Sequence, residues 1–114
     1  MESEIALSFS RIVISKKFLG DDILITVKGG DKPHIGTVVL AVSRPSLTGD
    51  GSVSTTSSVL NVTGHKDEVI CRILAEKASK KYGVTAACVG GFHIDDINAE
   101  QIEEVVSAIR NFDI

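Results

Sequence analysis

Hydrophobic and polar residues alternate along the first part of the chain, as they do in β-strands with one buried face. Ile5, Leu7 and Phe9 follow this alternation, and the pattern then slips by one residue before Ile12. Such a slip is produced either by a bulge near residues 10–11 in one kinked strand or by two short strands. The pattern leaves both alternatives open.

Three further segments predict strands. The segment "DDILITV" (Asp21–Val27) alternates again, and "TVVLAV" (Thr37–Val42) is apolar throughout, which predicts a central strand covered on both faces. We expect these two strands to pair in antiparallel fashion across the turn "KGGDKPHIG". After turn residues at 43–52, "VSTTSSVLNV" (Val53–Val62) is rich in β-branched residues and predicts another strand.

Two segments have the apolar spacing of amphipathic helices. The first spans Lys66–Tyr82, and its predicted inward stripe consists of Val69, Ile70, Ile73, Leu74 and Ala78. The second spans Ala99–Phe112, and Asn98 with Gln101 has the spacing of a capping box at its start. Between the helices, the small apolar residues of Val84–Gly91 predict a buried strand.

This order of elements predicts an α+β fold in a single domain that spans residues 1–114. The expected sheet is mixed, mostly antiparallel and built of about five to six strands, with both amphipathic helices on one face. Several strands are apolar on both faces, and two helices can cover only one of them. We therefore expect the other face to form a subunit interface, in a homodimer or a larger homo-oligomer.

Composition narrows the classes of function. A hydrophobic fraction of 43% is typical of a packed globular protein, and a formal net charge of −3 argues against nucleic acid as a partner. No apolar run approaches the roughly 18 residues of a membrane-spanning helix, and the start Met1–Glu4 does not resemble a signal peptide. We expect a cytoplasmic protein without membrane association, in which Cys71 and Cys88 are reduced core residues.

All three histidines lie in turns that contain glycine: "GGDKPHIG" (His34), "TGHKDE" (His65) and "GGFHIDD" (His93). When the predicted strands are traced alternately up and down, each of these turns falls at the same edge of the sheet. Ligand crevices open at the carboxyl ends of parallel strands, so this edge is the predicted ligand site.

Several chemistries fit this edge. The free N–H groups of a helix start, with Gly64, His65 and Lys66, favour an anion such as a phosphate. Asp67 and Glu68 would equally complement the helix dipole, so a plain helix cap stays a competing interpretation. A metal site is less favoured, because three separate loops would have to converge.

Catalysis has weaker support from the sequence. There is no GxSxG, Walker or GxGxxG motif, and "VGGFH" is too loose a match to any phosphate or dinucleotide motif. His93 with Asp95 two residues later could form a general base and its orienting carboxylate. Neither cysteine is placed as a nucleophile.

The chain resembles the LpdD-like prenylated flavin chaperones, which are similar to the D subunit of gallate decarboxylase and related in fold to small proteasome-assembly chaperones. The matching stretches are "GGDKPHIGTVVLAV", the serine- and threonine-rich strand before "GHKDEVICRILAEKASKKYG", and "GGFHIDDINAEQIEEVV". They extend from about Asp22 to Ala108. The three histidine turns, in this order and spacing, are the distinctive part.

The resemblance implies a non-enzymatic accessory protein that handles prenylated flavin mononucleotide (prenylated FMN) for a UbiD-type decarboxylase. The implied cofactor-binding residues are His34, Gly64, His65, Lys66, Asp67, His93 and Asp95, with no catalytic or metal-ligating residue. Phe92, Phe18 and Tyr82 are the aromatic side chains able to stack on a flavin ring, and the sequence does not place Phe18 or Tyr82 near the predicted site. Two alternatives stay open: an assembly chaperone with no small-molecule ligand, or a small hydrolase that uses His65 or His93 as its base.

Overall fold

The computed structural model describes residues 1–62 and 65–114, without the side chains of residues 65 and 66. The elements within these ranges, in chain order, are the strands and helices β1 (Glu2–Ala6), β2 (Arg11–Leu19), β3 (Asp22–Gly30), β4 (Thr37–Pro45), β5 (Val53–Asn61), α1 (His65–Tyr82), β6 (Ala86–His93) and α2 (Ala99–Asn111). The predicted α+β fold, with six strands in one sheet and two helices, is confirmed.

The strand order in the sheet is β1-β2-β3-β6-β4-β5. β3 and β6 run parallel, and every other neighbouring pair is antiparallel, so the sheet is mixed and mostly antiparallel as predicted. The expected pairing of β3 with β4 is wrong, because β6 lies between them. The link at residues 31–36 is longer than a tight hairpin turn and spans the inserted strand.

The N-terminal slip in the hydrophobic pattern is a hairpin between two strands rather than a bulge. β1 and β2 pair in antiparallel register, with Ala6 opposite Arg11. The Leu7 N–H donates to the Ser10 carbonyl oxygen at 2.9 Å and closes the turn. A turn of four residues reverses the chain, and the alternation therefore restarts in a new phase.

The core lies between the sheet and the two helices. Residues of β2, β3, β4 and β6 that point toward the helices are buried, as are Ile70, Leu74 and Ala78 of α1. Val69, predicted in the same stripe, is 36% exposed and lies at its margin, whereas Cys71 is buried. Cys71 and Cys88 are free thiols in this core, and burial raises the pKa of Cys88.

The predicted capping box at the start of α2 is confirmed. The Gln101 N–H donates to Asn98 Oδ1 at 2.8 Å, and the Asn98 N–H donates to Gln101 Oε1 at 3.0 Å. These reciprocal bonds satisfy two backbone donors that would otherwise lack a partner.

Neither helix in the described part of the chain is long and apolar enough to cross a membrane.

The sheet face opposite the helices is open in the single chain, and we call it the open face. Leu40 and Val42 of β4 are 43% and 45% exposed, and Leu60 of β5 is 74% exposed. The expectation that "TVVLAV" is covered on both faces is therefore wrong for the single chain, since the helices cover one side only. Alternate residues of this apolar strand lie on the open face.

Candidate functional site

The histidine turns that the structure describes lie together at one end of the strands, which we refer to as an edge of the sheet. β3 and β6 are parallel, and their last residues, Gly30 and His93, lie opposite each other. The link at 31–36 and the segment after β6 therefore leave the sheet at the same edge, next to the start of α1. We call the side chains of His34, Asp67, His93 and Asp95 at this edge the histidine edge.

Asp67 is the buried centre of the histidine edge. It lies in the first turn of α1, where a carboxylate is favoured by the helix dipole, yet only 2% of the residue is exposed. Its Oδ1 accepts a hydrogen bond from the Phe92 N–H at 2.9 Å, and its Oδ2 lies 3.2 Å from His34 Nε2. Asp67 thus joins the helix, the end of β6 and the 31–36 link.

His34 is fixed through both ring nitrogens. Nδ1 lies 2.9 Å from the Lys32 carbonyl oxygen, and Nε2 faces the Asp67 carboxylate. Both partners are hydrogen-bond acceptors, and together they hold the ring between the 31–36 link and the first turn of α1.

Two glycines allow the close approach of these segments. Gly91 is in register with Lys28, and a Cβ atom there would lie 2.8 Å from His34 Nε2 and 3.1 Å from Asp67 Oδ2. Gly30 has a φ of +79°, and a Cβ atom there would overlap the His93 carbonyl oxygen. Residues with side chains at these positions would push the histidine turns apart.

A second His–Asp contact lies beside the first and is more exposed. His93 Nε2 is 2.8 Å from Asp95 Oδ1, and the side chains are 37% and 73% exposed. The hydrogen bond with His93 is the main cause that lowers the pKa of Asp95, with further contributions from the charges of His93 and Lys32. The rings of His34 and His93 meet edge to face, with centroids 6.2 Å apart.

The structure thus brings together four of the seven predicted site residues: His34, Asp67, His93 and Asp95. Gly64 lies outside the described residues, as do the side chains of His65 and Lys66. The backbone of α1 begins at His65, one turn or less before Asp67 in the same helix. In the described part of the chain, no group of three or more His, Cys, Asp or Glu side chains has the arrangement of a metal site.

The aromatic residues considered for flavin stacking do not line this edge. Phe92 is 1% exposed and packs edge to face against Phe9 in the core, at a centroid distance of 6.1 Å. Phe18 and Tyr82 pack against each other, and Phe18 is in register with Ile23 at the start of β3. They therefore lie at the end of the sheet opposite the histidine edge.

Sequence patterns did not identify the residues that surround a hollow next to His34. This hollow has a volume of about 290 Å³ and is open to solvent. It is lined by Thr26, Val27, Lys28, Pro33, His34, Ile35, Val89 and Gly90. These residues come from β3, from the link that follows it and from the distant strand β6, and only the β3–β6 register shows that the two parts are neighbours.

The fold is similar to that of a protein of known structure. A chaperone from a crystal structure of a complex for yeast 20S proteasome assembly superposes with a TM-score of 0.50 at 12% identity. The match covers 96% of this chain and 95% of that chain. At this identity the likeness concerns the fold alone.

Comparison of the sequence with protein families assigns the chain to one of them. Residues 8–112 match the prenylated flavin chaperone LpdD-like domain, and the chain belongs to this family. The match includes both described histidine turns and the whole of α1 and α2. No curated protein matches the sequence.

Proposed function

We propose that this protein is a non-enzymatic chaperone that binds prenylated FMN and delivers it to a UbiD-type decarboxylase in the cytoplasm. The observation that carries the proposal is the pair of adjacent His–Asp contacts at one open sheet edge, in a chain of the prenylated flavin chaperone family. A charged and partly exposed edge of this kind suits a ligand that carries both a phosphate and a polar ring system.

The hydrogen-bond contacts of His34 favour a role in ligand binding over a role in catalysis. Both of its ring nitrogens already contact protein atoms, so neither is free to take a proton from a substrate. The proposed binding residues are His34, Gly64, His65, Lys66, Asp67, His93 and Asp95. Within this set, Gly64, His65 and Lys66 would contact the phosphate, because backbone N–H groups at a helix start favour anions.

We also propose that two or more copies associate through the open face. Leu40, Val42 and Leu60 form an exposed apolar row on this face. Contiguous exposed apolar surface is typical of protein interfaces. Burial of this face in a homodimer would cover both sides of the apolar strand β4.

The proposal is tested by anaerobic titration of the purified protein with reduced prenylated FMN, followed by transfer to an apo-decarboxylase of the UbiD type. We expect saturable binding, and faster or more complete activation of the decarboxylase than with free cofactor. His93→Gln and His34→Gln should weaken binding, while Ser54→Ala on the far part of β5 serves as the matched polar control.

Other outcomes would assign other functions. If the protein bound the decarboxylase but no flavin, it would be an assembly chaperone without a small-molecule ligand. Turnover of a substrate that is lost in His93→Ala, with the fold intact by circular dichroism, would identify an enzyme instead. Absence of both flavin binding and activation would refute the proposed function.

A further inference from the structure

The hollow next to His34 opens on the open face of the sheet, away from the helices. Thr26 and Val89 are in register on neighbouring parallel strands and form its floor, while Pro33 and Ile35 of the 31–36 link form a wall. His34 stands between this hollow and Asp67. One side chain of the histidine edge therefore also lines the hollow.

The size of the hollow limits what it can hold. Pockets for complete small ligands usually have volumes of roughly 300–1,000 Å³. At about 290 Å³ and open to solvent, this hollow suits one part of a flavin nucleotide and not the whole molecule. The remainder of a bound nucleotide would extend beyond it.

The lining has an aliphatic part and a charged part, and a flavin ring system likewise has an apolar end and a polar end. Pro33, Ile35 and Val89 provide aliphatic surface, which fits the methyl-bearing and prenyl-derived rings. Lys28 provides positive charge, with the His34 ring in the same lining, which fits the carbonyl-bearing pyrimidine end that becomes anionic when a flavin is reduced. Lys28 is exposed, and no ion pair joins it to another residue of the described ranges.

We infer that this hollow is the subsite for the ring system of the reduced prenylated flavin, with the ribityl phosphate extending past His34 toward the start of α1. The inference rests on the proposed function and adds Thr26, Lys28, Ile35 and Val89 to the binding residues. Ile35 is 59% exposed, and its contact with the ring would cover apolar surface that the single chain leaves in water.

The test is anaerobic titration of the full chain with reduced prenylated FMN in two matched pairs of variants. Thr26→Phe fills the hollow, and Thr56→Phe places the same side chain on the open face at a distance from it. Ile35→Ala removes part of the wall, and Leu47→Ala removes an exposed aliphatic residue outside both the hollow and the apolar row. We expect Thr26→Phe and Ile35→Ala to weaken binding by about tenfold or more, and each control to stay within about twofold of wild type.

The outcomes separate this inference from the proposed function. If wild type binds the cofactor and each hollow variant binds like its control, the ring lies elsewhere and the inference is overturned. Equal weakening in a variant and its control also overturns it, because the effect is then not specific to the hollow. If wild type binds no prenylated FMN at all, the proposed function itself fails.

Discussion

Asp67 has two roles that belong to different levels of structure. Asp67 lies in the first turn of α1, where the helix dipole alone would favour a carboxylate. Its burial and its contacts with His34 and the Phe92 N–H require in addition the ends of β6 and of the 31–36 link. A single carboxylate therefore fixes the relative position of three segments, and its loss would leave a buried backbone donor without that acceptor.

The Gly91→Ala variant tests whether the His34–Asp67 contact depends on a missing Cβ atom. The added methyl group would lie 2.8 Å from His34 Nε2, so the imidazole must move away from Asp67. We expect a loss of unfolding free energy of about 1–3 kcal/mol, measured by urea denaturation.

A double-mutant cycle with His34→Ala provides the control. Once the imidazole is absent, Gly91→Ala meets less steric conflict and should cost clearly less than it does in wild type. If the two single effects simply add, the glycine is not required for the His34 contact.

At the scale of elements, the two helices differ in how well their sequences define them. α2 has a complete capping box and a compact apolar stripe, and its observed bounds differ from the predicted ones only at Phe112. α1 was predicted to begin at Lys66 and begins at His65. Its inward face is displaced toward Cys71 and Ala75, because β4 and β6 lie under it and accept small side chains.

The Asn98→Ala variant tests the contribution of the capping box. It removes the acceptor for the Gln101 N–H and leaves that helix-terminal donor to solvent. We expect a loss of about 1 kcal/mol in unfolding free energy, measured by urea denaturation of both proteins under the same conditions.

Asn111→Ala near the C-terminal end of α2 is the matched control. It removes the same side chain from an exposed position, where the amide makes one long contact of 3.5 Å with Ser107. An equal loss in both variants would show that the capping box adds no particular stability.

At the scale of the whole molecule, the sheet is covered on one face only. Helices α1 and α2 pack on the buried face, and the open face presents Leu40 and Val42 on β4, the strand next to the edge strand β5. An exposed apolar sheet face is unfavourable in water, and association of two such faces removes it from solvent. The proposed flavin subsite opens on the same face.

The Leu40→Lys variant tests the proposed self-association. A lysine at this position places a charge within the apolar row, and its desolvation in an interface would be costly. We expect the variant to sediment as a monomer at concentrations at which wild type sediments as a dimer or larger species in analytical ultracentrifugation.

Leu47→Lys introduces the same charge at a residue that is 90% exposed in the β4–β5 hairpin, outside the apolar row. This control should retain the wild-type sedimentation coefficient. A monomeric wild type, or identical behaviour of both variants, would contradict association through the open face.

The sequence by itself determined the local elements. Alternation and helical spacing fixed most strands and both helices, and the tracing of strand directions placed the histidine turns at one edge. The structure confirms this convergence for His34 and His93. The strands and helices depend on residues close together in the chain, so periodicity, turn residues and caps are enough to predict them.

Only the tertiary structure decided which strands are neighbours. The insertion of β6 between β3 and β4 sets Gly91 beside His34, joins Asp67 to the Phe92 N–H and creates the hollow between Thr26 and Val89. Each of these contacts links residues far apart in sequence, and strand order depends on the packing of the complete sheet under its helices. No local pattern encodes that order, and for this reason the lining of the proposed flavin subsite emerges only from the folded chain.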